Sequence, residues 1–244
     1  MKVKEFVKNN LLNLIAFLIG EITLLTLSIV FGSDVITIIY TIFFLVYLFA
    51  ICSKLWFAPI FGIVSTGLYI AVSVLSKNWG EVVFNCLVVL PLLAFGIWQY
   101  LKNRNKEGVY VSQNKISIKE FLIFVACDFV FCVALFFALN ALETPFTILA
   151  TVCFFFCAIP NYLQLRRDRR MFYFYLLANV FLILLWLMPL IHGEGGGVSM
   201  IPVAGGFFFS IVLNSLGAIN WKNKGENKNQ IENGGEDGTF SAGR

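Results

Sequence analysis

The stretch "MFYFYLLANVFLILLW" (171–186) decides the class of fold. It is almost wholly apolar, yet Asn179 stands in its middle. An unpaired amide in hydrocarbon costs several kcal/mol, so Asn179 must have a partner. On a helix, Asn179 and Trp186 are two turns apart and share a face, and Phe172 and Tyr175 lie on the same stripe. The stretch predicts a membrane-buried helix with one polar, aromatic face.

The composition extends this interpretation to the whole chain. Of 244 residues, 59% are hydrophobic and only 13% are charged, whereas soluble domains carry about 25% charge. Eight apolar segments, each near the roughly 20 residues that span a bilayer, predict an all-α integral membrane protein in the lipid bilayer. The segments run approximately over residues 10–32, 34–54, 56–76, 81–102, 117–141, 144–165, 172–192 and 198–221.

The positive charges predict the orientation of these segments. With the N-terminus in the cytoplasm, all of the 18 Lys and Arg residues except Lys77 fall on cytoplasmic connections or termini. Membrane proteins concentrate Lys and Arg on that side, so both termini are predicted to be cytoplasmic. The run Arg166–Arg170 is then a membrane anchor, and no nucleic-acid partner is expected.

Residues for catalysis or metal binding are sparse. His192 is the only histidine, and none of the six cysteines forms a CxxC pair. P-loop, HExxH and Ser-His-Asp arrangements are absent from the sequence. We therefore expect neither an enzyme nor a metal, disulfide or cofactor site.

Two stretches of the chain are alike. "AFGIWQYLKN" (94–103) and "SLGAINWKNK" (215–224) both end on the cytoplasmic side under the predicted topology, which indicates a parallel repeat. Parallel repeats are typical of transporters with a substrate site near the membrane midplane. The alignment pairs Gly96 with Gly217, Gln99 with Asn220 and Tyr100 with Trp221.

The repeat predicts the domain organisation. We expect two parallel three-helix bundles joined by a linking helix, with one extra N-terminal helix. The expected boundaries are 1–33 for the extra helix, 34–102 for the first bundle, 103–143 for a cytoplasmic loop and the linking helix, 144–222 for the second bundle, and 223–244 for a disordered cytoplasmic tail.

Amide side chains inside the bundles are candidate substrate ligands. Asn85 and Gln99 are fourteen residues apart on the fourth segment and nearly aligned, and Asn214 lies on the eighth. Amides beside aromatic rings suit a flat, polar, ring-bearing solute. Hydrogen bonding between helices is the alternative interpretation of each amide.

Two carboxylates stand in mid-span, Glu21 in the first segment and Asp128 in the fifth. Acids inside a membrane suggest function, but both lie outside the two bundles, where a structural or oligomer-contact role is equally open. The bundles themselves carry no carboxylate near mid-span in this interpretation. That predicts transport without coupling to an ion gradient.

Three stretches resemble the PnuC-type nicotinamide riboside transporters. "AFGIWQYLKN" looks like the family's "YGWYxW" element, and "WFAPIFGIVSTGLY" (56–69) resembles its "WxWPFGIxSxxLY" element. "PNYLQLRRDRRMFYFYLLANV" (160–180) looks like its "QWLLARKxxENWxxWxxxNV" element. The resemblance covers roughly residues 40–222.

The last of these matches aligns individual residues with positions of the family's element. Tyr162 and Tyr175 fall on Trp positions of the family, and Asn179 falls on its Asn. Asn161 stands where the family has Gln, and related members carry other vitamins such as thiamine or riboflavin. Pro160-Asn161 also resembles the Pro-Gln dipeptide of the PQ-loop and SWEET transporters, which implies their plan of three, one and three helices.

The resemblance implies import of nicotinamide riboside by facilitated diffusion across the bacterial inner (plasma) membrane. It further implies a homo-oligomer, a trimer, and a cytoplasmic kinase that traps the substrate by phosphorylation. Alternatives are a carrier of another vitamin or a sugar, and a non-transporting scaffold or receptor. We expect Asn179 to bond the substrate and Tyr175 or Trp186 to pack on its ring. The full set of expected site residues is Asn179, Trp186, Tyr175, Gln99, Asn85, Asn214, Trp56 and Phe61.

Overall fold

The computed structural model describes residues 6–8, 10–105, 109–141, 143–192 and 200–233, with side chains up to residue 222. Within these residues, eight helices are long and apolar enough to cross a membrane, as the eight apolar segments predicted. They are α1 (Leu11–Val30), α2 (Val35–Cys52), α3 (Ala58–Leu75), α4 (Trp79–Lys102), α5 (Ile118–Ala141), α6 (Thr147–Leu165), α7 (Met171–Ile191) and α8 (Met200–Asn233).

The last helix reaches into the predicted tail. α8 ends at Asn233, beyond the expected end of the eighth segment at residue 221. The rest of the predicted disordered tail, 234–244, lies outside the described residues, as do residues 1–5 of the expected N-terminal unit.

Six of the helices close a ring. α2 packs on α3, α3 on α4, α4 on α6, α6 on α7, α7 on α8, and α8 returns to α2. α1 lies outside the ring against α2 and α8, and α5 lies outside it against α6. Hydrocarbon offers no hydrogen bonds, so polar side chains are favoured on the faces that point into such a ring. The fold therefore provides an interior where polar groups from both halves of the chain can meet.

α4 is irregular near its beginning. After the helical turn Trp79–Phe84, residues Asn85–Val89 form one π-helical turn. Pro91 is the second residue after this turn and has no N–H to donate within the helix. The Asn85 side-chain amide donates to the Glu81 carbonyl at 2.8 Å, which secures the preceding turn. Single π turns are frequent at functional sites, and this one holds Asn85 and Glu81 on the buried side of α4.

Tyr100 and Trp221, which align in the sequence repeat, make corresponding contacts. The Tyr100 hydroxyl donates to the Gln164 carbonyl in the last turn of α6 at 3.3 Å. The Trp221 indole N–H donates to the Ile51 carbonyl in the last turn of α2 at 3.1 Å. Carbonyls in the last turn of a helix have no partner within that helix. Both carbonyls also accept a backbone N–H of the turn that follows, so each half of the chain adds a second bond to a helix end in the other half.

Gly217 of α8 lies close to side chains of α7 and α2. A Cβ at this position would lie 2.5 Å from Phe172 Cε1 and 2.8 Å from Cys52 Sγ, so any larger residue forces a shift. At Gly96, the aligned position in the first half, a Cβ would meet nothing closer than Pro59 at 3.6 Å. Only one member of the aligned pair requires glycine.

The connection between α6 and α7 is organised by Asp168, which is buried. Its Oδ2 accepts the Ile116 N–H at 3.0 Å and the Arg170 Nη2 at 2.6 Å, and its Oδ1 accepts the Arg170 N–H at 3.0 Å. Burial by itself raises the pKa of this carboxyl, but the hydrogen bonds from Arg170 and Ile116 outweigh it, and the pKa of Asp168 lies below its ordinary value. Asp168 therefore ties the segment before α5 to the beginning of α7.

Candidate functional site

The ring encloses a cavity of about 100 Å³. One water needs about 10–15 Å³ by the same measure, so the cavity has room for several waters. All six ring helices contribute side chains to its wall. The polar and phenolic members of the wall are Tyr40, Tyr47, Ser65, Thr66, Tyr69, Glu81, Asn85, Asn161, Tyr175, Asn179 and Ser210.

At one end of the cavity, which we call the acidic end, a carboxyl meets aromatic rings. Glu81 is 2% exposed, and its Oε2 accepts a 3.0 Å bond from Asn85 Nδ2. Tyr69 flanks this carboxyl, and the Tyr69 hydroxyl accepts a 2.7 Å bond from Trp186 Nε1. The Tyr40 ring packs on Tyr69 with centroids 5.3 Å apart. The acidic end thus combines one carboxyl, one amide and three aromatic side chains.

Glu81 is a buried acid of the first bundle that the sequence did not single out. The predicted fourth segment begins at residue 81, which puts Glu81 at the edge of that segment. The helix begins at Trp79 instead, and Glu81 is a buried residue of its first turn. Glu81 lies in the first turn of α4 and not at its middle, so the expectation of no carboxylate near mid-span is not contradicted, and transport without ion coupling stays a prediction.

Asn179, the amide in the apolar stretch of α7, is buried and lines the cavity. Its Nδ2 donates to the Ser210 hydroxyl of α8 at 2.9 Å. Asn214 Nδ2 donates to the same oxygen, also at 2.9 Å. Within the described residues, no hydrogen bond reaches the Asn179 Oδ1. Asn179 is thus a link between helices whose carbonyl oxygen stays available to a solute in the cavity.

At the other end of the cavity, which we call the amide end, two tyrosines converge on Gln164. The Tyr47 hydroxyl lies 2.8 Å from Gln164 Oε1, and the Tyr175 hydroxyl lies 2.7 Å from the same atom. Tyr175 also approaches Asn161 Oδ1 at 3.2 Å. A hydroxyl has one proton to donate, so Tyr175 shares it between two acceptors or gives it to one. The amide end can therefore rearrange its bonds when another acceptor or donor enters.

The structure brings three of the eight expected site residues to the cavity wall: Asn85, Tyr175 and Asn179. Trp186 and Asn214 lie behind the wall, and each is hydrogen-bonded to a residue that lines it. The helical spacing on α7 predicted one shared face correctly, because Asn179 and Trp186 are both buried.

The structure does not bring Gln99, Trp56 and Phe61 to the cavity. Gln99 lies about 21 Å along α4 from Asn85, at roughly 1.5 Å per residue, so the two cannot line one compact space. Trp56 stacks instead under the Arg104 guanidinium, whose carbon is 4.6 Å from the ring centroid. Phe61 packs against the rings of Phe43 in α2 and of Phe57 just before α3.

Sequence reasoning missed Tyr40, Tyr47, Tyr69 and Ser210 as members of the wall. Tyr69 carried a signal, because it closes the stretch "WFAPIFGIVSTGLY" that matches the family element. Ser210 carried none, since a serine on a membrane helix usually bonds its own backbone. Its role as acceptor for two amides depends on how α7 and α8 meet.

The two acids expected in mid-span lie on the helices outside the ring. Asp128 of α5 is buried beside the Cys132 thiol at 3.8 Å, and Glu21 of α1 is partly exposed. Neither lines the central cavity. Among the described residues, no three His, Cys, Asp or Glu side chains are grouped so that they could hold a metal ion.

Comparisons with known proteins agree on the fold. Residues 34–223, which include the membrane parts of α2 to α8, match the model of a family described as nicotinamide mononucleotide transporter. The crystal structure of the vitamin B3 transporter PnuC superposes with a TM-score of 0.74 at 18% sequence identity, covering 86% of this chain and 90% of that one. No curated protein sequence matches the chain.

Proposed function

The chain belongs to the nicotinamide mononucleotide transporter family, and from this premise we propose that it imports nicotinamide riboside across the membrane by facilitated diffusion. The observation that carries the proposal is the cavity itself. Six membrane helices surround it, and buried amides, hydroxyls and aromatic rings form its wall. Polar groups at this depth are costly unless they serve a solute or each other. The structural neighbour, a vitamin B3 transporter, supports the same class of solute.

The charges around the cavity favour the riboside over the phosphorylated mononucleotide. No Lys or Arg is among the residues that line it, and Glu81 is its acidic member. A phosphate would lose its water beside a carboxyl and gain no cation in return, which is unfavourable. Nicotinamide riboside has no phosphate, and its pyridinium ring is positively charged. The wall thus suits the riboside.

Three side chains are proposed to contact the substrate directly: Asn85, Tyr175 and Asn179. Amides can exchange paired hydrogen bonds with a carboxamide, and hydroxyls can bond those of a ribose. Asn85 and Asn179 supply the amides, and Tyr175 supplies a hydroxyl at the amide end. Trp186 acts behind the wall, where its indole N–H positions the Tyr69 hydroxyl.

For the architecture, we propose two parallel bundles formed by residues 34–102 and 144–222. α5, within 103–143, links them, and the helix in 1–33 is additional. The order of packing around the ring supports this division, because each bundle contributes three successive ring helices. The matching bonds of Tyr100 and Trp221 to the opposite half support it too.

The proposal places both termini, including the tail 223–244, in the cytoplasm of a bacterium whose inner membrane holds the protein. The distribution of the 18 Lys and Arg residues supports this orientation. A homotrimer is proposed from the family resemblance. A carrier without an energy source only equilibrates its substrate, so a cytoplasmic nicotinamide riboside kinase is the proposed partner that makes import unidirectional.

Binding of a panel of compounds to the purified protein tests the proposal. Nicotinamide riboside should raise the melting temperature, whereas nicotinamide mononucleotide and glucose should not. A rise in melting temperature with thiamine or riboflavin instead would favour a carrier of another vitamin. Stabilisation by glucose or by the mononucleotide, without any by the riboside, would remove the proposed substrate.

A further inference from the structure

Glu81 has an unusual environment for an acid inside a membrane protein. It is 2% exposed and lines the cavity. Asn85 donates to its Oε2 at 3.0 Å, but within the described residues its Oε1 is buried without a hydrogen-bond partner. Glu81 thus lines the cavity beside the Tyr69 hydroxyl, while one of its oxygens is buried without a hydrogen bond of good geometry.

Glu81 also has no cationic neighbour in the described part of the chain. The ion pairs found there, Arg166 with Glu120 and Arg170 with Asp168, belong to the connections around α5 and α6. No Lys or Arg lines the cavity. An ionised carboxylate away from water is costly unless a cation or several donors compensate it. The compensating charge must therefore come from outside the chain, as a proton or as a cationic solute.

The surroundings of Glu81 discriminate between these two sources. The rings of Tyr40 and Tyr69 lie 5.3 Å apart, and Phe207 meets Tyr69 edge-on at 6.0 Å. Trp186 adds a fourth ring 5.7 Å from Tyr69. Aromatic faces attract a cation and also pack on a flat ring. Binding of a proton does not require an aromatic cluster, whereas a flat cationic ring can contact both the aromatic rings and the carboxylate.

We propose that Glu81 is the counter-charge of the cationic heteroaromatic ring of the substrate, and that it sets selectivity for pyridinium compounds over neutral compounds of the same shape. This inference rests on the proposed function and adds to it the group that reads the charge of the solute. Asn85 is a positioning residue here, because its amide holds Oε2 of the carboxylate that lines the cavity. The acidic end then rejects anions, and a neutral nucleoside leaves the charge of the buried carboxylate without compensation.

The test compares two ligands that differ in charge alone. Nicotinamide riboside is cationic, and benzamide riboside, in which a carbon replaces the ring nitrogen, is its neutral counterpart. Calorimetric titration of the wild-type protein should give at least about tenfold tighter binding of the cation, equivalent to about 1.4 kcal/mol. Equal affinities for the two ligands in the wild type would overturn the proposal without any variant.

The variant Glu81→Gln keeps the size of the side chain and removes its charge. It should weaken the binding of nicotinamide riboside about tenfold or more. The affinity for benzamide riboside should stay within about threefold of the wild-type value, so that the preference for the cation is lost. Asp128→Asn is the matched control, because Asp128 is a buried acid away from the cavity. This variant should prefer the cationic ligand to the same extent as the wild type. Ligand-free melting curves establish that both variants are folded.

Two results for Glu81→Gln would contradict the proposal. One is an unchanged preference for the cation. The other is unchanged riboside binding together with loss of proton-driven uptake, which would make Glu81 a proton carrier. If the wild type binds neither ligand, the proposed substrate itself is wrong, which is a different outcome from binding both equally.

Discussion

The Asn179 side-chain amide of α7 donates a 2.9 Å hydrogen bond to the Ser210 hydroxyl of α8. This bond gives the amide a partner in the absence of any solute, and it joins two neighbouring ring helices across the cavity wall. Asn179 also lines the cavity, so it contributes to the fold with its nitrogen and to the proposed site with its oxygen.

Replacing Asn179 separates these two contributions. Asn179→Ala should weaken nicotinamide riboside binding by about 1–3 kcal/mol, because a buried polar group of the substrate loses its partner. That corresponds to a loss of roughly fivefold to more than a hundredfold in affinity, measured by calorimetric titration. The ligand-free melting temperature should also fall, because Ser210 loses a donor.

Asn214→Ala is the matched control for this variant. Asn214 donates to the same Ser210 oxygen at 2.9 Å but lies behind the wall. It should lower the melting temperature while leaving affinity within about threefold. If Asn179→Ala binds the riboside like the wild type, Asn179 acts only between helices and is not a substrate ligand.

The aligned glycines should respond differently to the same substitution. Gly217→Ala should destabilise the protein, because the new Cβ would lie 2.5 Å from Phe172 Cε1. Overpacking of this kind typically costs about 1–3 kcal/mol. Gly96→Ala meets only Pro59 at 3.6 Å and should be neutral or slightly stabilising. Thermal melts of both variants check this, and equal melting temperatures would show that α8 moves to accommodate the methyl group.

The sequence could predict the spans and one face of α7, because apolar length and helical spacing depend on local physics alone. It could not place Glu81, whose burial depends on α4 beginning before the first apolar run. The sequence analysis grouped Asn85 with Gln99 by helical face alone, although fourteen residues at about 1.5 Å each already place them about 21 Å apart along the helix. Ser210 shows the same limit as Glu81, because its two amide donors depend on the meeting of α7 and α8.

Asp168 predicts a pH dependence of stability. Its pKa is lowered in the folded protein, so its ionised form stabilises the fold above the ordinary pKa of about 4, and that contribution is lost as the pH falls through the folded value. Asp168→Asn should therefore cost about 1–3 kcal/mol at pH 7. The difference in free energy of unfolding between the variant and the wild type should decrease as the pH falls below about 4.

Melting curves of the wild type and of Asp168→Asn in detergent, at pH 7 and below about pH 4, measure this difference in stability. Glu120→Gln serves as the control, because the Glu120–Arg166 pair is about one-third exposed on both side chains and should contribute little. A difference for Asp168→Asn that stays constant with pH would show that its hydrogen bonds, rather than its charge, stabilise the connection.

The acids outside the ring should not affect substrate affinity. Glu21→Gln and Asp128→Asn should each leave the dissociation constant of nicotinamide riboside within about twofold, because α1 and α5 contribute nothing to the cavity wall. Titration of both variants beside the wild type tests this. A tenfold change in either would place a coupling path between the outer helices and the cavity.

Uptake of labelled nicotinamide riboside into proteoliposomes that contain only this protein tests the central claim most directly. With no ATP and no ion gradient, the label should enter until its electrochemical potential is equal on both sides, and excess unlabelled riboside should compete while the mononucleotide should not. An imposed proton or sodium gradient at fixed membrane potential should leave the final level unchanged. Absence of uptake above protein-free liposomes, or accumulation that follows the imposed gradient, would contradict facilitated diffusion of this substrate.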